Sequence, residues 1–251
     1  ANTTGFDAFI DGHSHTVMEN KQVYDAAGKA VTLTQTGSYL ANVGKMTIAE
    51  DGAITTELIS TADVSDAAVA ATAEAWINDV DAMLGEQIAT TDIKFYINDP
   101  ATGKRRIRTG ETNLGDFVAD GIYSYFNEVE QLHCDIAIMN GGGIRATVKA
   151  GDITKKDINT VLPFGNTLAV VYVTGAELLE ALEASTFCTP ESLGGFPQAA
   201  GLQFALKTYE KYDANPDPYP KSTYYGPKSI QRVTIDNVNG KAFDPTATYA
   251  V

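Results

Sequence analysis

Short alternating runs of apolar and polar residues fill the first sixty positions. An apolar run from Phe6 to Ile10 is ended by Asp11-Gly12, which predicts a short strand followed by a turn. After it come three runs separated by Gly or Asp-Gly: VTLTQTG, GKMTIAE and AITTELIS. Such runs are typical of antiparallel strands joined by hairpins. We therefore expect residues 1–60 to be a sheet region, the end of a larger domain.

A helical period replaces the alternation between Asp63 and Ile88. Apolar residues recur there at spacings of three and four, namely Val69, Trp76, Val80, Met83, Leu84 and Ile88. Asp63 and Ser65 are candidate N-caps. This predicts a long amphipathic helix. Because it lies between two sheet regions, we interpret residues 61–92 as a linker helix and hinge; a helix packed on its own domain is the alternative.

Strand and helix patterns alternate beyond Thr91. A helix is predicted from Asn113, with Asp116 three residues later, and a strand from Cys134 to Met139. Another strand, Leu168 to Val173, leads to a capping box that opens a further helix. A loop is predicted at 209–227. The strand QRVTIDNV comes after it and ends in an Asn-Gly turn. The chain is thus predicted to be α/β (α+β), with residues 93–251 as a second domain, truncated at its end.

The composition of the chain excludes some classes of binding partner. The 251 residues include 18 basic and 32 acidic side chains, a net charge of -14, which disfavours a nucleic-acid duplex or an anionic membrane surface. No run of 18 or more apolar residues predicts a transmembrane segment. Two cysteines, Cys134 and Cys188, are too few for a disulfide framework. The missing initiator Met and the abrupt strand patterns at both ends suggest a fragment.

Two histidines, His13 and His15, follow the first strand in the stretch IDGHSHT. In an extended backbone, residues two apart point to the same side, so both imidazoles could bind one metal centre. Two surface histidines in a turn are the alternative. Two imidazoles cannot complete a tetrahedral or octahedral site, and the third histidine, His133, is distant in sequence.

The stretch MNGGGIRA favours an anionic or polar ligand. Three glycines at a strand end allow backbone N–H groups to approach a ligand, Asn140 offers donors and acceptors, and Arg145 offers a planar cationic fork. A tight turn with Arg145 in solvent is the alternative. Phe164, at the bend in VLPFGNT, either fills the core or stacks on a planar ring. Arg108 lies in the only arginine cluster, RRIR, for which a solvated turn is again the alternative.

Taken in order, these stretches resemble the 5'-nucleotidase family. The resemblance rests on GHSHT, TGSYLANVGKM, ETNLGDFVAD, IAIMNGGGIR, GDITKKDINTVLPFGNTL, VTGAELLEALE and GGFPQAAGLQF, and runs through nearly the whole chain. It implies a calcineurin-like metallophosphoesterase domain, a β-sandwich of which residues 1–60 are the C-terminal remnant, followed by a nucleotide-binding domain. His13 and His15 would be the last two protein ligands of a two-metal centre, binding Zn or Mn. The other ligands of that family's centre are absent from this sequence.

The resemblance also assigns a substrate site. Arg108 and Arg145 would hold phosphate or nearby polar groups, Asn140 and Asn166 would hydrogen-bond the nucleotide, and Phe164 would stack on one face of the base. A second stacking aromatic of the family is not in this sequence. No catalytic residue is assigned.

The implied parent is an extracytoplasmic hydrolase, secreted, periplasmic or cell-wall associated. It would act as a 5'-nucleotidase or as a 2',3'-cyclic-nucleotide phosphodiesterase with 3'-nucleotidase activity, releasing nucleoside and phosphate. Its partners would be a nucleotide or nucleoside and its own N-terminal metallophosphoesterase portion. This chain by itself is expected to be inactive. A non-catalytic nucleotide-binding module is the alternative.

Overall fold

The chain divides into two compact units in a computed structural model, Ala1–Ile77 and Asn78–Val251. The structure describes residues 3–208 and 231–251. The loop predicted at 209–227 lies outside the described residues. The predicted boundaries of 1–60, 61–92 and 93–251 stay a prediction.

The first unit contains two small sheets, and the predicted hairpin strands are confirmed. Its strands are β1 (Ala8–Ile10), β2 (Val17–Tyr24), β3 (Ala30–Thr36), β4 (Asn42–Ile48) and β5 (Ile54–Ser60). One sheet has the order β1-β3-β2, with β1 parallel to β3, and β4 and β5 form an antiparallel hairpin. Strand β2, which is mostly exposed, was not predicted, since its polar residues VMENKQVY hide the alternation.

The predicted long helix is confirmed as α1 (Ala67–Leu84), although it begins later and ends earlier than expected, since Ile88 lies in a strand, Gln87–Thr91. The predicted caps, Asp63 and Ser65, are wrong: the carboxylate of Asp66 accepts hydrogen bonds from the backbone N–H groups of Ala68 and Val69, at 2.9 and 3.0 Å. This is the N-cap arrangement, which satisfies N–H groups that have no partner within the helix. No residue of α1 is buried, including Trp76, which is 68% exposed.

The second unit is a mixed α/β domain, as predicted. Its elements are β6 (Gln87–Thr91), α2 (Asn113–Ser124) with a π-helical continuation (Tyr125–Val129), β7 (Ala137–Asn140), β8 (Gly151–Thr154), α3 (Lys155–Val161), β9 (Tyr172–Thr174), α4 (Gly175–Thr186), β10 (Pro197–Ala200), β11 (Leu202–Leu206), β12 (Val233–Val238), β13 (Lys241–Ala242) and β14 (Thr248–Ala250). The strands pair as β10-β7, β11-β12-β13, β14-β9 and β6-β8. The Asn-Gly turn is confirmed, because Asn239 and Gly240 both have positive φ between β12 and β13, as a type I' hairpin requires.

Helix ends in this unit follow local hydrogen bonding. The capping box of Thr174 and Glu177 is confirmed at the start of α4. The predicted cap at Asn113 is wrong, because the hydroxyl of Thr112 accepts the Gly115 N–H there. The Asn113 side chain instead accepts from the Tyr96 N–H and donates to the Lys94 carbonyl, both at 3.0 Å, and so fastens the preceding loop. Both cysteines are free and buried.

Two large apolar clusters and a small one of Ala119, Ala137 and Ala200 make the core of the described part of the second unit. One, which we call the sheet cluster, joins α4 to β11 and β12 and comprises Ile136, Leu178, Leu182, Leu202, Val233, Ile235 and Val238. The other, the loop cluster, comprises Ile107, Leu114, Ile144, Val148, Ile153 and Val161. The strand predicted at Leu168–Val173 is shorter than expected, since β9 begins only at Tyr172. Within residues 3–208 and 231–251, no helix has both the length and the apolar character needed to cross a bilayer.

Asp116, in the first turn of α2, should make the stability of the domain depend on pH. Burial, then the nearby carboxylates of Glu111 and Asp120, raise the pKa of Asp116 to about 6. The folded state therefore holds this proton more tightly than the unfolded chain, so stability falls as pH rises from about 4 to about 6. Because Asp116 is partly exposed, we expect the effect to be about 1 kcal/mol.

Asp116→Asn should remove that dependence and raise the free energy of unfolding at pH 7. Urea unfolding at pH 4.5 and 7.5 measures it, with Glu128→Gln, an exposed carboxylate just beyond α2, as the control. The same pH dependence in Asp116→Asn and the unaltered chain would contradict this prediction.

Candidate functional site

Three of the five predicted substrate residues closely follow members of one buried cluster. Arg108 directly follows Ile107, and Arg145 directly follows Ile144; both isoleucines are 0% exposed and belong to the loop cluster. Because buried side chains fix the backbone to which they are attached, the backbone positions of the two arginines are held by the same buried cluster. Phe164 follows that cluster as well, three residues after the buried Val161.

Two of the three glycines after β7, Gly141 and Gly142, are required by close packing against backbone. A Cβ on Gly141 would overlap the carbonyl oxygen of Ile107, and one on Gly142 would lie 2.8 Å from the carbonyl oxygen of Gly194. The backbone N–H groups of Gly141 and Gly142 donate to the carbonyls of Phe196 and Gly194, both at 2.8 Å. The glycine triplet is thus pressed against both the Arg108 loop and the segment ahead of β10.

Arg145 lies over an aromatic ring. Its guanidinium carbon is 5.6 Å from the centroid of Phe164, a cation–π distance. Its Nη1 donates to the Gly142 carbonyl at 3.2 Å, and its backbone N–H donates to the Val161 carbonyl at 2.9 Å. The ring of Phe164 is 57% exposed, so core packing, the alternative for this residue, does not describe its position.

Arg108 is held beside Arg145 in a half-buried position. Burial, and secondly the charge of Arg145, lower the pKa of Arg108. Its Nε is buried and has no hydrogen-bond partner among the described residues. A buried donor without a partner costs about 1–3 kcal/mol, and a like charge nearby adds to that cost. An anion between the two guanidinium groups would relieve both.

Asn140 ends β7 next to this pair. Its Nδ2 donates to the Gly194 carbonyl at 3.2 Å, the same oxygen that receives the Gly142 N–H. The backbone N–H of Leu193 donates to the Arg108 carbonyl at 3.2 Å. The segment 193–196 therefore bridges the Arg108 loop and the glycine triplet.

Asn166 is two residues beyond Phe164. It is exposed and lines a cavity of about 500 Å³ together with Ile138, Met139 and Leu168. Of the five predicted residues, the structure joins Arg145 to Phe164 by a direct contact, and it holds Arg108 and Asn140 on segments that are hydrogen-bonded to residues 193–196.

Comparison with known proteins places this arrangement in a family. The model of the 5'-nucleotidase C-terminal domain matches residues 87–251, which contain all five predicted substrate residues. The chain belongs to the 5'-nucleotidase family. A trifunctional nucleotide phosphoesterase of Bacillus subtilis is 33% identical over 217 residues, 82% of this chain and 14% of that protein. The UshA protein of Escherichia coli is 34% identical over 102 residues, 41% of this chain and 17% of that protein.

A solved structure agrees with the family. The 5'-nucleotidase precursor of Thermus thermophilus matches with a TM-score of 0.70 at 27% identity, over 98% of this chain and 48% of that one. The chain thus spans about half of that solved relative and a smaller share of the curated ones. Mixed α/β architecture of the 5'-nucleotidase C-terminal domain is therefore confirmed.

The two histidines assigned to a metal centre by the family resemblance are not in an extended strand. His13 and His15 both have positive φ, 63° and 59°, so the extended geometry expected of them is wrong. The cause is a turn closed by Gln35, whose Oε1 accepts the Thr16 N–H at 2.7 Å and whose Nε2 donates to Asp11 Oδ2 at 3.2 Å. Within the described ranges no three His, Cys, Asp or Glu side chains gather as metal ligands. The residues present therefore do not form a metal site by themselves.

One residue that sequence reasoning missed is Gln198 on β10. It is 1% exposed, and its side chain bonds to three backbone groups of the Arg108 loop. The motif GGFPQAAGLQF, which helped to identify the 5'-nucleotidase family, contains it. The signal that could have found it is a glutamine flanked by Pro and Ala in an apolar strand, where a buried amide needs partners.

Proposed function

We propose that the second unit binds the nucleotide substrate of a nucleotide phosphohydrolase. The observation that carries the proposal is that Arg108 and Arg145 each follow a buried isoleucine of the loop cluster, and that Arg108 has a buried Nε with no hydrogen-bond partner among the described residues. A phosphate dianion supplies both the opposite charge and acceptor oxygens in the geometry that guanidinium groups match. The family membership makes a nucleotide the ligand to test first.

The neighbouring side chains suit the remainder of a nucleotide. More than half of the surface of Phe164 is exposed, which leaves the ring accessible to a base. Asn140 is the last residue of β7, directly before the glycine triplet. Its side-chain nitrogen donates to Gly194, which leaves the amide oxygen as an acceptor for a ribose or base donor. Asn166, which is exposed and two residues beyond Phe164, would hydrogen-bond the nucleotide in this proposal.

Hydrolysis would belong to the longer protein. Its metal centre would hold two divalent ions, Zn or Mn, with His13 and His15 among the ligands and the others supplied by an N-terminal metallophosphoesterase portion. Exposed apolar side chains along α1, such as Trp76 and Met83, are consistent with such a partner. We propose an extracytoplasmic location and a hinge within residues 85–92. The substrate would be a 5'-nucleotide or a 2',3'-cyclic nucleotide.

A non-catalytic binding module is the second candidate. The observation that favours it is that His13 and His15 have no third possible metal ligand beside them among the described residues, and two imidazoles do not complete a hydrolytic metal site. The two candidates differ in whether the longer protein, not this chain, releases phosphate.

The expected behaviour of this chain is binding without turnover. In isothermal titration without added metal, AMP should bind one to one and about tenfold or more tightly than adenosine, because a hydrogen bond to a charged group contributes about 1.5–3 kcal/mol. A colorimetric assay should detect no phosphate released from AMP. Equal affinity for AMP and adenosine, or no heat with either, would contradict the proposed site; released phosphate would contradict the expected inactivity.

A further inference from the structure

A single buried side chain fastens the loop that carries Arg108. The side-chain amide nitrogen of Gln198 donates to the carbonyl of Ile107 at 3.1 Å and to that of Gly110 at 3.0 Å. Its Oε1 accepts the N–H of Thr112 at 3.2 Å. The loop is therefore held immediately before Arg108, two residues after it, and at the cap of α2.

The same residue links that loop to the glycine triplet. Gln198 lies on β10, which pairs with β7 so that Pro197 faces Asn140 and Gln198 faces Met139. The side chain fits only because α2 has Gly115 at the contact, where a Cβ would overlap the Gln198 amide. One glutamine thus connects the two halves of the proposed phosphate site.

Such a connection matters because Arg108 is half-buried and its buried Nε has no hydrogen-bond partner among the described residues. Arg108 is half-buried beside Arg145, and both burial and that charge disfavour its charged form. Without a ligand, the loop would lower its free energy by moving Arg108 away into water. Groups held in place before the ligand arrives give tighter binding, since their ordering is not a cost of binding.

We infer that Gln198 is a positioning residue that holds Arg108 in place for the phosphate of the nucleotide. This inference rests on the proposed function and adds a residue that does not touch the ligand. Gln198 acts through Arg108, so its loss should weaken binding of the phosphate and spare binding of the base.

The test is a double-mutant cycle by isothermal titration with AMP and adenosine. Gln198→Met keeps the length of the side chain and removes its three hydrogen bonds. We expect the affinity for AMP to fall about tenfold and the affinity for adenosine to stay within twofold. In an Arg108→Ala background, Gln198→Met should cause no further loss. Gln203→Met, an exposed glutamine on the adjacent β11, is the matched control and should bind AMP as the unaltered chain does.

Each result decides the matter. An unchanged AMP affinity in Gln198→Met, an equal loss for AMP and adenosine, or an undiminished loss in the Arg108→Ala background would overturn the inference. If Gln198→Met does not fold in urea titration, Gly115→Ala, which pushes the glutamine aside, replaces it with the same expectations. If the unaltered chain binds no AMP, the proposed function fails and takes the inference with it; AMP binding that only Arg145→Ala weakens overturns the inference alone.

Discussion

Arg145→Ala should weaken AMP binding by about 10- to 150-fold, the equivalent of roughly 1.5–3 kcal/mol for hydrogen bonds to a charged group. Two effects add to the loss. The guanidinium group stacked on Phe164 disappears, which frees the ring to move, and Arg108 is left as the only cation of the pair. Isothermal titration with AMP measures the change.

Two further variants make this result specific. Arg145→Lys keeps the charge and loses the planar fork, so its affinity should lie between those of the alanine variant and the unaltered chain. Lys149→Ala removes an exposed cation of the same unit, outside the Arg108 loop. It should leave the affinity unchanged. Equal losses in Arg145→Ala and Lys149→Ala would point to a diffuse charge effect in place of a site.

Sequence patterns predicted the elements of this chain better than their ends. The hairpin strands and α1 were found because hydrophobic periodicity persists over seven residues or more. Their caps were not, since Asp66 lies beside Asp63 and Ser65, and Thr112 beside Asn113, and all of these residue types can accept an N–H. Which of them caps depends on where packing starts the helix, and that is a tertiary property.

The candidate site was likewise predicted only in part from the sequence. The family resemblance placed Arg108, Asn140, Arg145, Phe164 and Asn166 in one site, but no pattern showed that Ile107 and Ile144, which precede the two arginines, share one buried cluster. Gln198 was missed because a buried amide is chemically ordinary in sequence and gains its meaning only from three backbone partners 86 to 91 residues away. The positions of His13 and His15 were misjudged because two residues do not reveal whether a strand has ended.

Gly141→Ala should be the most destabilising of the single substitutions considered for this chain, costing about 3 kcal/mol in free energy of unfolding. An added methyl group would overlap the carbonyl oxygen of Ile107, and the Gly141 N–H is fixed by its 2.8 Å hydrogen bond to Phe196, so the backbone cannot move away without breaking that contact. Overpacking of rigid neighbours typically costs about 1–3 kcal/mol, and here the neighbour is backbone. Urea unfolding monitored by far-UV circular dichroism measures the loss.

Gly195→Ala is the matched control, because it lies in the segment that receives the glycine triplet, yet a Cβ there would be 4.0 Å from its nearest neighbour, the side chain of Leu193. Its unfolding free energy should change by less than about 1 kcal/mol. Since the Ile107 carbonyl also accepts from Gln198, displacement of that carbonyl in Gly141→Ala should move Arg108 as well. The folded fraction of Gly141→Ala should therefore bind AMP more weakly than Gly195→Ala does. A Gly141→Ala variant as stable as the unaltered chain would mean that the glycine triplet and the Arg108 loop are not in close contact.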